Sequence, residues 1–276
     1  MISPYRDKNN RVIFVGLPAY NEEVAIKRLL GKLEILIGRG EPLKILVYND
    51  GSTDRTGAVA SEWAAKLPLT LLGHTQNRGL GAGLRSLVSH ARIFGAPNDV
   101  LVTMDCDDTH DPEQIPSMVQ PIRLGYDIVI ASRFRAGALS RGVPPFRRFT
   151  ALGVMALLKS FHPMPGVLDY SCGFRAYRVG LLHAGHDAYG EDLITEDGFA
   201  CMVELLLKLS TLAPKITEVP LVLRYDLKPS PSKMNVGNNI AKLLKLIILW
   251  KLRGSSLQKT KLVDRRSSSR GGSRTC

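Results

Sequence analysis

The sequence predicts an α/β fold with a mostly parallel central sheet and helices on both faces. Three observations predict it. Short apolar strands without polar alternation recur along the first half of the chain, as strands buried on both faces do. Amphipathic helical segments alternate with them, which is how parallel strands are connected. The polar clusters follow strands directly, at Pro18–Glu22, Asn49–Asp54 and Asp105–Asp108, and open parallel sheets hold ligands beyond their carboxyl ends.

Val12 to Val15 reads as the first strand, ended by Pro18. Asn21 is placed to cap a helix whose buried face carries Ile26, Leu29, Leu30, Leu33, Leu36 and Ile37. Ile45 to Tyr48 is a second strand, turned by Asn49-Asp50-Gly51-Ser52 into a helix with Val59 and Trp63; Ser52 or Thr53 is its expected cap. Leu69–Leu72 is a third strand, and Leu80, Leu84, Leu87, Val88 and Ala91 mark a third helix. Val100 to Met104 is a fourth strand ending on Asp105, followed by a helix from Pro112 and a fifth strand at Ile128 to Ile130. Beyond Arg133 the pattern loosens. Ala136–Arg148 reads as a loop, followed by helices at Phe149–Phe161 and around Cys201–Leu209 and a strand at Val219–Leu223.

With 276 residues, 45% of them hydrophobic, the chain can bury a core, and no linker or repeat divides it. The expected organisation is an extension over 1–10, a globular domain over 11–239, an amphipathic helix over 240–253 and a basic disordered tail over 254–276. The net charge of +12 is mostly a property of the tail: from Lys251 onward eight basic residues face Asp264 alone. Such a tail suits an anionic surface or is simply solvated. Cys106, Cys172, Cys201 and Cys276 form no CxxC pair, so neither a zinc site nor a disulfide framework is indicated, and a reducing compartment fits. The first residues contain no apolar stretch of a secretory leader. No run reaches the roughly 20 apolar residues that span a bilayer. The nearest, Ile240–Trp250, is interrupted by Lys242 and Lys245. On a helix it places Ile240, Leu243, Leu244, Ile247 and Trp250 on one stripe, fit either for core packing or for docking at a membrane surface.

Three carboxylates in Asp105-Cys106-Asp107-Asp108 repel one another, which a packed fold tolerates best with a cation present. Mg2+ or Mn2+ bridging a diphosphate suits such oxygen ligands; the alternative is an exposed acidic turn capping the helix at Pro112. Asp50 either serves its turn or accepts hydrogen bonds from a nucleoside. Asn77-Arg78-Gly79-Leu80-Gly81-Ala82-Gly83 lacks the P-loop lysine and the dinucleotide spacing, and reads as a tight loop with close helix packing. Arg133, Arg135, Arg141, Arg147 and Arg148, with Lys228 and Lys233, offer donors for phosphate.

Pro18-Ala19-Tyr20-Asn21-Glu22, Asn49 to Thr56, Asp105-Cys106-Asp107, Ala131-Ser132-Arg133-Phe134 and Ser171-Cys172-Gly173-Phe174-Arg175, in that order, resemble the inverting family-2 glycosyltransferases over roughly residues 11–250. Within them the chain is most similar to the polyprenyl-phosphate branch typified by dolichyl-phosphate mannose synthase, and Ser232-Lys233-Met234 fits that branch. The resemblance implies a GT-A-type nucleotide-sugar-binding fold and transfer from a donor of the GDP-mannose or UDP-glucose class to a polyprenyl phosphate. It implies that Pro18, Tyr20, Glu22 and Asp50 line the nucleoside pocket, that Asp105 and Asp107, with Thr109, hold Mg2+ or Mn2+, that Arg133 and Arg147 grip the acceptor phosphate, and that Lys233 neutralises the leaving diphosphate. Asn49, Thr109 and Ala151 depart from the family's usual Asp, Gln and Ser.

An acceptor held in lipid further implies an enzyme at the cytoplasmic face of a membrane, reaching it through an anionic lipid surface or a membrane-protein partner. Thr195-Glu196-Asp197 is similar to the Thr-Glu-Asp that supplies the base in other family-2 branches, which implies as an alternative a hydroxyl acceptor (saccharide, lipid alcohol or small metabolite) with Asp197 as the base such an acceptor needs. A non-catalytic nucleotide-sugar scaffold has no need of both the acidic and the basic sets. A nucleic-acid partner is not expected, because the basic tail lacks interleaved aromatic residues.

Overall fold

Strands without a polar face need cover on both sides, and the computed structural model, which describes residues 7, 11–228, 237, 239 and 241–251, provides it. The chain divides into two compact units, Met1–Lys233 and Met234–Cys276. In the first, β1 (Ile13–Ala19), β2 (Leu43–Asp50), β3 (Leu69–His74) and β4 (Val100–Thr103) run parallel in the order β3-β2-β1-β4. They are connected through α1 (Glu23–Gly38), α2 (Thr56–Ala64) and α3 (Leu80–Phe94). A short 3-10 turn at Pro112–Gln114 and α4 (Ile115–Arg123) lead to β5 (Ile128–Ser132). A second, two-stranded sheet starts with β6 (Leu139–Arg141), and α5 (Pro145–Phe161) follows it. Next, β7 (Arg175–Arg178) enters the main sheet antiparallel between β4 and β5. After α6 (Val179–Tyr189) and α7 (Ala200–Ser210), β8 (Ile216–Pro220) closes that edge parallel to β5, and β9 (Val222–Arg224) pairs with β6.

Burial explains this arrangement. On α1 the side chains of Ala25, Ile26, Leu29, Leu30, Leu33 and Leu36 are buried, each large one contributing about 1.5–3 kcal/mol. Ten consecutive residues of α7, Ala200 to Leu209, are buried, so this helix is core rather than cover. Two of them are charged: Glu204 and Lys208 pair at 2.5 Å, and Glu204 also accepts the backbone N–H groups of Thr195 and Glu196, which leaves no buried charge unmatched there. Asp99, fully buried, accepts Val12 N–H at 2.9 Å and Ala96 N–H at 2.8 Å and so ties the start of β1 to the turn before β4.

Several boundaries differ from expectation. Asn21 is not the cap of α1: Glu22 stands there, and Asn21 adopts a left-handed backbone (φ 52°) with its Oδ1 accepting Thr53 N–H. Helix α2 begins at Thr56, whose N–H is taken by Asp54, so neither Ser52 nor Thr53 caps it. The segment 136–148 is not all loop, since it contains β6 and the first turn of α5. The single strand expected at Val219–Leu223 is two, broken at Leu221 between the main sheet and the small one. Residues 241–251 are helical, with Leu243, Leu246 and Ile247 buried and Leu244 exposed, so Leu246 takes the place on the buried stripe that was expected for Leu244. Among the described residues no helix is long and apolar enough to cross a membrane. The tail over 254–276 lies outside the described residues.

The glycine-rich loop is a packing device, as its spacing suggests. A Cβ on Gly81 would lie 1.9 Å from the carbonyl oxygen of Glu196, and Gly81 N–H donates to the Asp197 carbonyl at 2.9 Å. Backbone cannot yield as a flexible side chain does, so Gly81→Ala should cost about 2 kcal/mol or more. Urea denaturation checks this, and an unchanged midpoint would contradict the packing role.

Candidate active site

The carboxyl ends of β1 and β2 are stitched together before any ligand is considered. Asn21 N–H donates to Ser52 Oγ (3.0 Å), Glu22 N–H to Thr56 Oγ1 (2.8 Å) and Glu23 N–H to Asp54 Oδ2 (3.2 Å). The hydroxyls and carboxylate of the 49–56 segment thus satisfy the free N–H groups that begin α1. Asp50 is buried, and its two oxygens accept Arg78 N–H and Gly79 N–H, each at 2.8 Å. Its local task is to shape the loop before α3. Pro18 and Tyr20 are half-buried at the end of β1.

At the end of β4 the three acids meet three different partners. Asp108 is buried in a left-handed conformation (φ 63°), and Lys32 of α1 reaches it at 2.5 Å. Asp107 pairs with Lys228, and its Oδ1 accepts the Thr109 hydroxyl at 2.7 Å and the Thr109 N–H at 3.2 Å. Asp105 keeps its side chain 37% exposed, with His110 Nδ1 3.9 Å away and accepting the Asp105 N–H at 3.1 Å. Burial alone would raise the Asp107 carboxyl, but the Lys228 ammonium and the Thr109 hydroxyl outweigh it and hold it low. Burial pushes the Asp105 carboxyl up, and the negative charge of Asp107 adds to that. Glu22 belongs to the same neighbourhood. After burial, its charge is the leading reason that the Cys106 thiol is raised, and it acts on Lys228 as well.

A divalent cation fits this donor set. The Asp105 side chain stays partly exposed, and both carboxylates present hard oxygen ligands. Among the described residues no three His, Cys, Asp or Glu side chains form a ready-made cage, so a diphosphate and water would supply the remaining ligands. The Thr109 side chain braces Asp107 and is itself buried.

Arg133, just past β5, is held by a deep support. Its Nε and Nη2 make a two-pronged contact with Asp169 at 2.8 and 2.6 Å, and Nη2 also reaches Ser171 Oγ at 2.7 Å. Asp169 is wholly buried, and its backbone N–H donates to Glu218 of β8 at 2.7 Å. Burial disfavours both charges, yet the contact overrides it: Asp169 is held low and the Arg133 guanidinium is pushed up. The guanidinium remains a quarter exposed, near enough for its charge to act on Asp105.

Lys228 reaches Asp107 because the chain around β9 is fastened to the acid loop. Arg224 N–H donates to the Thr109 carbonyl at 2.8 Å, and Gln114 holds Val222 N–H at 3.0 Å and the Pro220 carbonyl at 2.9 Å. Between these anchors and Lys228 lies Tyr225. The guanidinium of Arg147, in the first turn of α5, sits 5.3 Å from the Tyr225 ring centre, and the Lys228 ammonium sits 5.8 Å from it. The structure thus brings Glu22, Asp105, Asp107, Arg133 and Arg147 towards one region, with Lys228 at its centre. Asp197 stands beside the glycine loop, 63% exposed and ion-paired with Arg85 at 2.6 Å. Lys233 lies outside the described residues.

Lys32, His110, Asp169 and Tyr225 were not legible as site residues. His110 closes the run Asp107-Asp108-Thr109-His110 and stacks on Phe174 at 5.0 Å, so its adjacency to the acids was an available signal. The other three lie far from the acids in sequence and carried none.

A family model described as glycosyl transferase family 2 matches residues 14–185. The chain is 28% identical over 242 residues to a polyprenol monophosphomannose synthase of Mycolicibacterium smegmatis, covering 87% of each chain. It is 31% identical over 230 residues to an undecaprenyl-phosphate mannosyltransferase of Micrococcus luteus, covering 80% of this chain and 86% of the relative. In fold it is similar to glucosyl-3-phosphoglycerate synthase of Mycobacterium tuberculosis, solved with Mn2+, uridine diphosphate and phosphoglyceric acid (TM-score 0.63, 21% identity, 91% of this chain and 82% of that one). A family match spanning more than half of the chain, on a sheet with its acids at the carboxyl end of the central strand β4, identifies it as a member of glycosyl transferase family 2 and as a glycosyltransferase.

Proposed function

We propose that the enzyme moves a hexose from a nucleotide sugar of the GDP-mannose or UDP-glucose class to a polyprenyl phosphate, with inversion at the anomeric carbon. The observation that carries this reading is the run of contacts from Asp107 to Lys228, and from Lys228 and Arg147 to the Tyr225 ring, which supports a carboxylate suited to a metal and a guanidinium suited to a phosphate in one neighbourhood. The names of the relatives, which act on polyprenol or undecaprenyl phosphate, support the acceptor class.

Pro18, Tyr20, Glu22 and Asp50 border the nucleoside, and Asp105 and Asp107 take Mg2+ or Mn2+ with the diphosphate. The bound cation supplies charge neutralisation to the donor diphosphate. Arg147 and the exposed part of Arg133 hold the acceptor phosphate. One of its oxygens forms the new bond to the anomeric carbon, while the bond from that carbon to the donor phosphate oxygen breaks and the nucleoside diphosphate leaves with the electron pair. A phosphate monoester is anionic at neutral pH, so the chain needs no strong base and contributes alignment and charge. Lys228, and Lys233 after it, offset the charge released on the diphosphate. With the acceptor tail in lipid, the enzyme works peripherally at the cytoplasmic face of a membrane.

Two measurements test this. Arg147→Ala should lower kcat/KM for the polyprenyl phosphate by roughly 30-fold, the loss of a charged hydrogen bond of about 2 kcal/mol, while donor affinity stays within about twofold. An equal fall in donor affinity would assign Arg147 to the diphosphate instead. In a direct comparison of acceptors, transfer should occur to polyprenyl phosphate and not to free polyprenol, and Asp197→Asn should leave it largely intact. Transfer to the alcohol that disappears in Asp197→Asn would establish the hydroxyl-acceptor chemistry in its place.

A further inference from the structure

The bonds that aim Asp50 come from backbone. Its two oxygens accept Arg78 N–H and Gly79 N–H, each at 2.8 Å, so its position depends on where the loop before α3 lies. That loop rests on another stretch of chain. Gly79 has a positive φ (86°), and a Cβ on it would lie 2.5 Å from the Asp197 carbonyl oxygen. Gly81 N–H donates to the same oxygen at 2.9 Å. Asp50 and the segment 195–197 thus both bear directly on the glycine loop.

The segment 195–197 is itself held from two helices. Glu204 of α7 is buried, and its carboxylate is fully engaged. One oxygen accepts Thr195 N–H and Glu196 N–H, each at 2.8 Å, and the other accepts the Thr195 hydroxyl at 2.6 Å and the Lys208 ammonium at 2.5 Å. Arg85 of α3 holds the Asp197 carboxylate at 2.6 Å and reaches the Ile194 carbonyl at 3.4 Å. Neither Arg85 nor Glu204 takes part in the proposed transfer chemistry.

We infer that Arg85 and Glu204 are positioning residues for the nucleotide donor: they seat the segment 195–197 against the glycine loop, and the loop seats the Asp50 carboxylate. A buried ion pair adds little net stability over apolar side chains of similar size, so what Glu204 and Lys208 contribute within the apolar α7 is the geometry they impose. The contacts from 195–197 to the loop are backbone to backbone. With no flexible side chain between them, a displacement of the segment passes straight to Gly79 and Gly81. Each Asp50 oxygen keeps a second lone pair for a donor on the nucleoside while the first is held. That last step rests on the proposed place of Asp50 in the nucleoside pocket; the seating of the loop does not.

The test reads loop and pocket separately in the full chain. Amide hydrogen exchange at Arg78 and Gly79 reports the loop. Calorimetric titration with GDP or UDP, whichever the wild type binds more tightly with Mn2+, reports the pocket. Arg85→Gln should speed exchange at both amides about fivefold or more and weaken nucleotide binding by a similar factor, the scale of one lost hydrogen bond. In transfer to polyprenyl phosphate the donor KM should rise, with kcat and the acceptor KM within about twofold of wild type, a split that general loosening of the fold does not produce. Arg85→Lys, which keeps a cation beside Asp197, should restore most of both. Glu204→Gln with Lys208→Met leaves no charge unpaired in the core and should act in the same direction as Arg85→Gln. Asp197→Asn keeps an oxygen for Arg85 and the backbone carbonyl for Gly81, so its effect should be milder. Unchanged exchange at Arg78 and Gly79 in Arg85→Gln overturns the inference. A lowered thermal midpoint with kcat and both KM values altered together overturns it too, by assigning Arg85 to stability alone. If exchange rises in Arg85→Gln but nucleotide affinity holds there and in Asp50→Asn alike, the nucleoside reading of Asp50 fails and the seating of the loop stands.

Discussion

Three carboxylates at the end of one strand are a problem that the rest of the structure is arranged to solve. Asp105, Asp107 and Asp108 follow β4 within four residues, and at such spacing each raises the cost of ionising the others. The fold brings a neighbouring group to each acid, an ammonium for two of them and an imidazole ring for the third. Lys32 comes from α1, Lys228 from beyond β9, and His110 from the same loop. The three solutions are unequal. Asp108 is buried while Lys32 keeps a third of its side chain exposed, and their pairing is structural. Asp107 is neutralised by a lysine that is itself only part-buried, and Asp105 remains partly open and is pushed towards its protonated form. In the proposed reaction a cation arriving with a diphosphate would complete what the chain leaves incomplete.

The break at Leu221 follows from the same constraint. Were β8 to continue straight, Lys228 would have no reason to return to the acid loop. Instead the chain leaves the main sheet, pairs with β6, and is fastened by Gln114 and by the Thr109 carbonyl. Glu218, just before the break, steadies the backbone of Asp169, and Asp169 holds Arg133. The acids after β4 and the arginine after β5 are thus supported from one short stretch of chain. A shift in that stretch would be felt at both the acids and the arginine.

Much of this was legible in the sequence and some of it could not have been. The parallel half of the sheet was plain because its strands are apolar on both faces and its helices carry clear buried stripes, as in α1. The antiparallel β7 was not, since Arg175–Arg178 begins and ends on a charged residue and its arginine at position 175 is fully buried, holding the carbonyls of Met202 and Tyr170. Asn21 carries a residue type suited to capping but uses it to hold a neighbouring loop, a tertiary choice that local spacing cannot reveal. Asp105 and Asp107 stood out from residue type and their place after a strand, whereas Arg133 and Arg147 were singled out among five arginines only by the resemblance to the family. Lys32, Asp169 and Tyr225 were not, because their part in the site comes from contacts across tens of residues.

The account turns on whether Asp107 exchanges its lysine for a metal when a nucleotide arrives. Electron paramagnetic resonance of free Mn2+, titrated with the protein in the presence of nucleoside diphosphate, measures this without depending on the sugar or the acceptor. The account predicts that the wild type takes up a single Mn2+ per chain only with nucleotide present, and that Asp107→Asn loses that uptake while remaining folded. Undiminished Mn2+ binding by Asp107→Asn would contradict it.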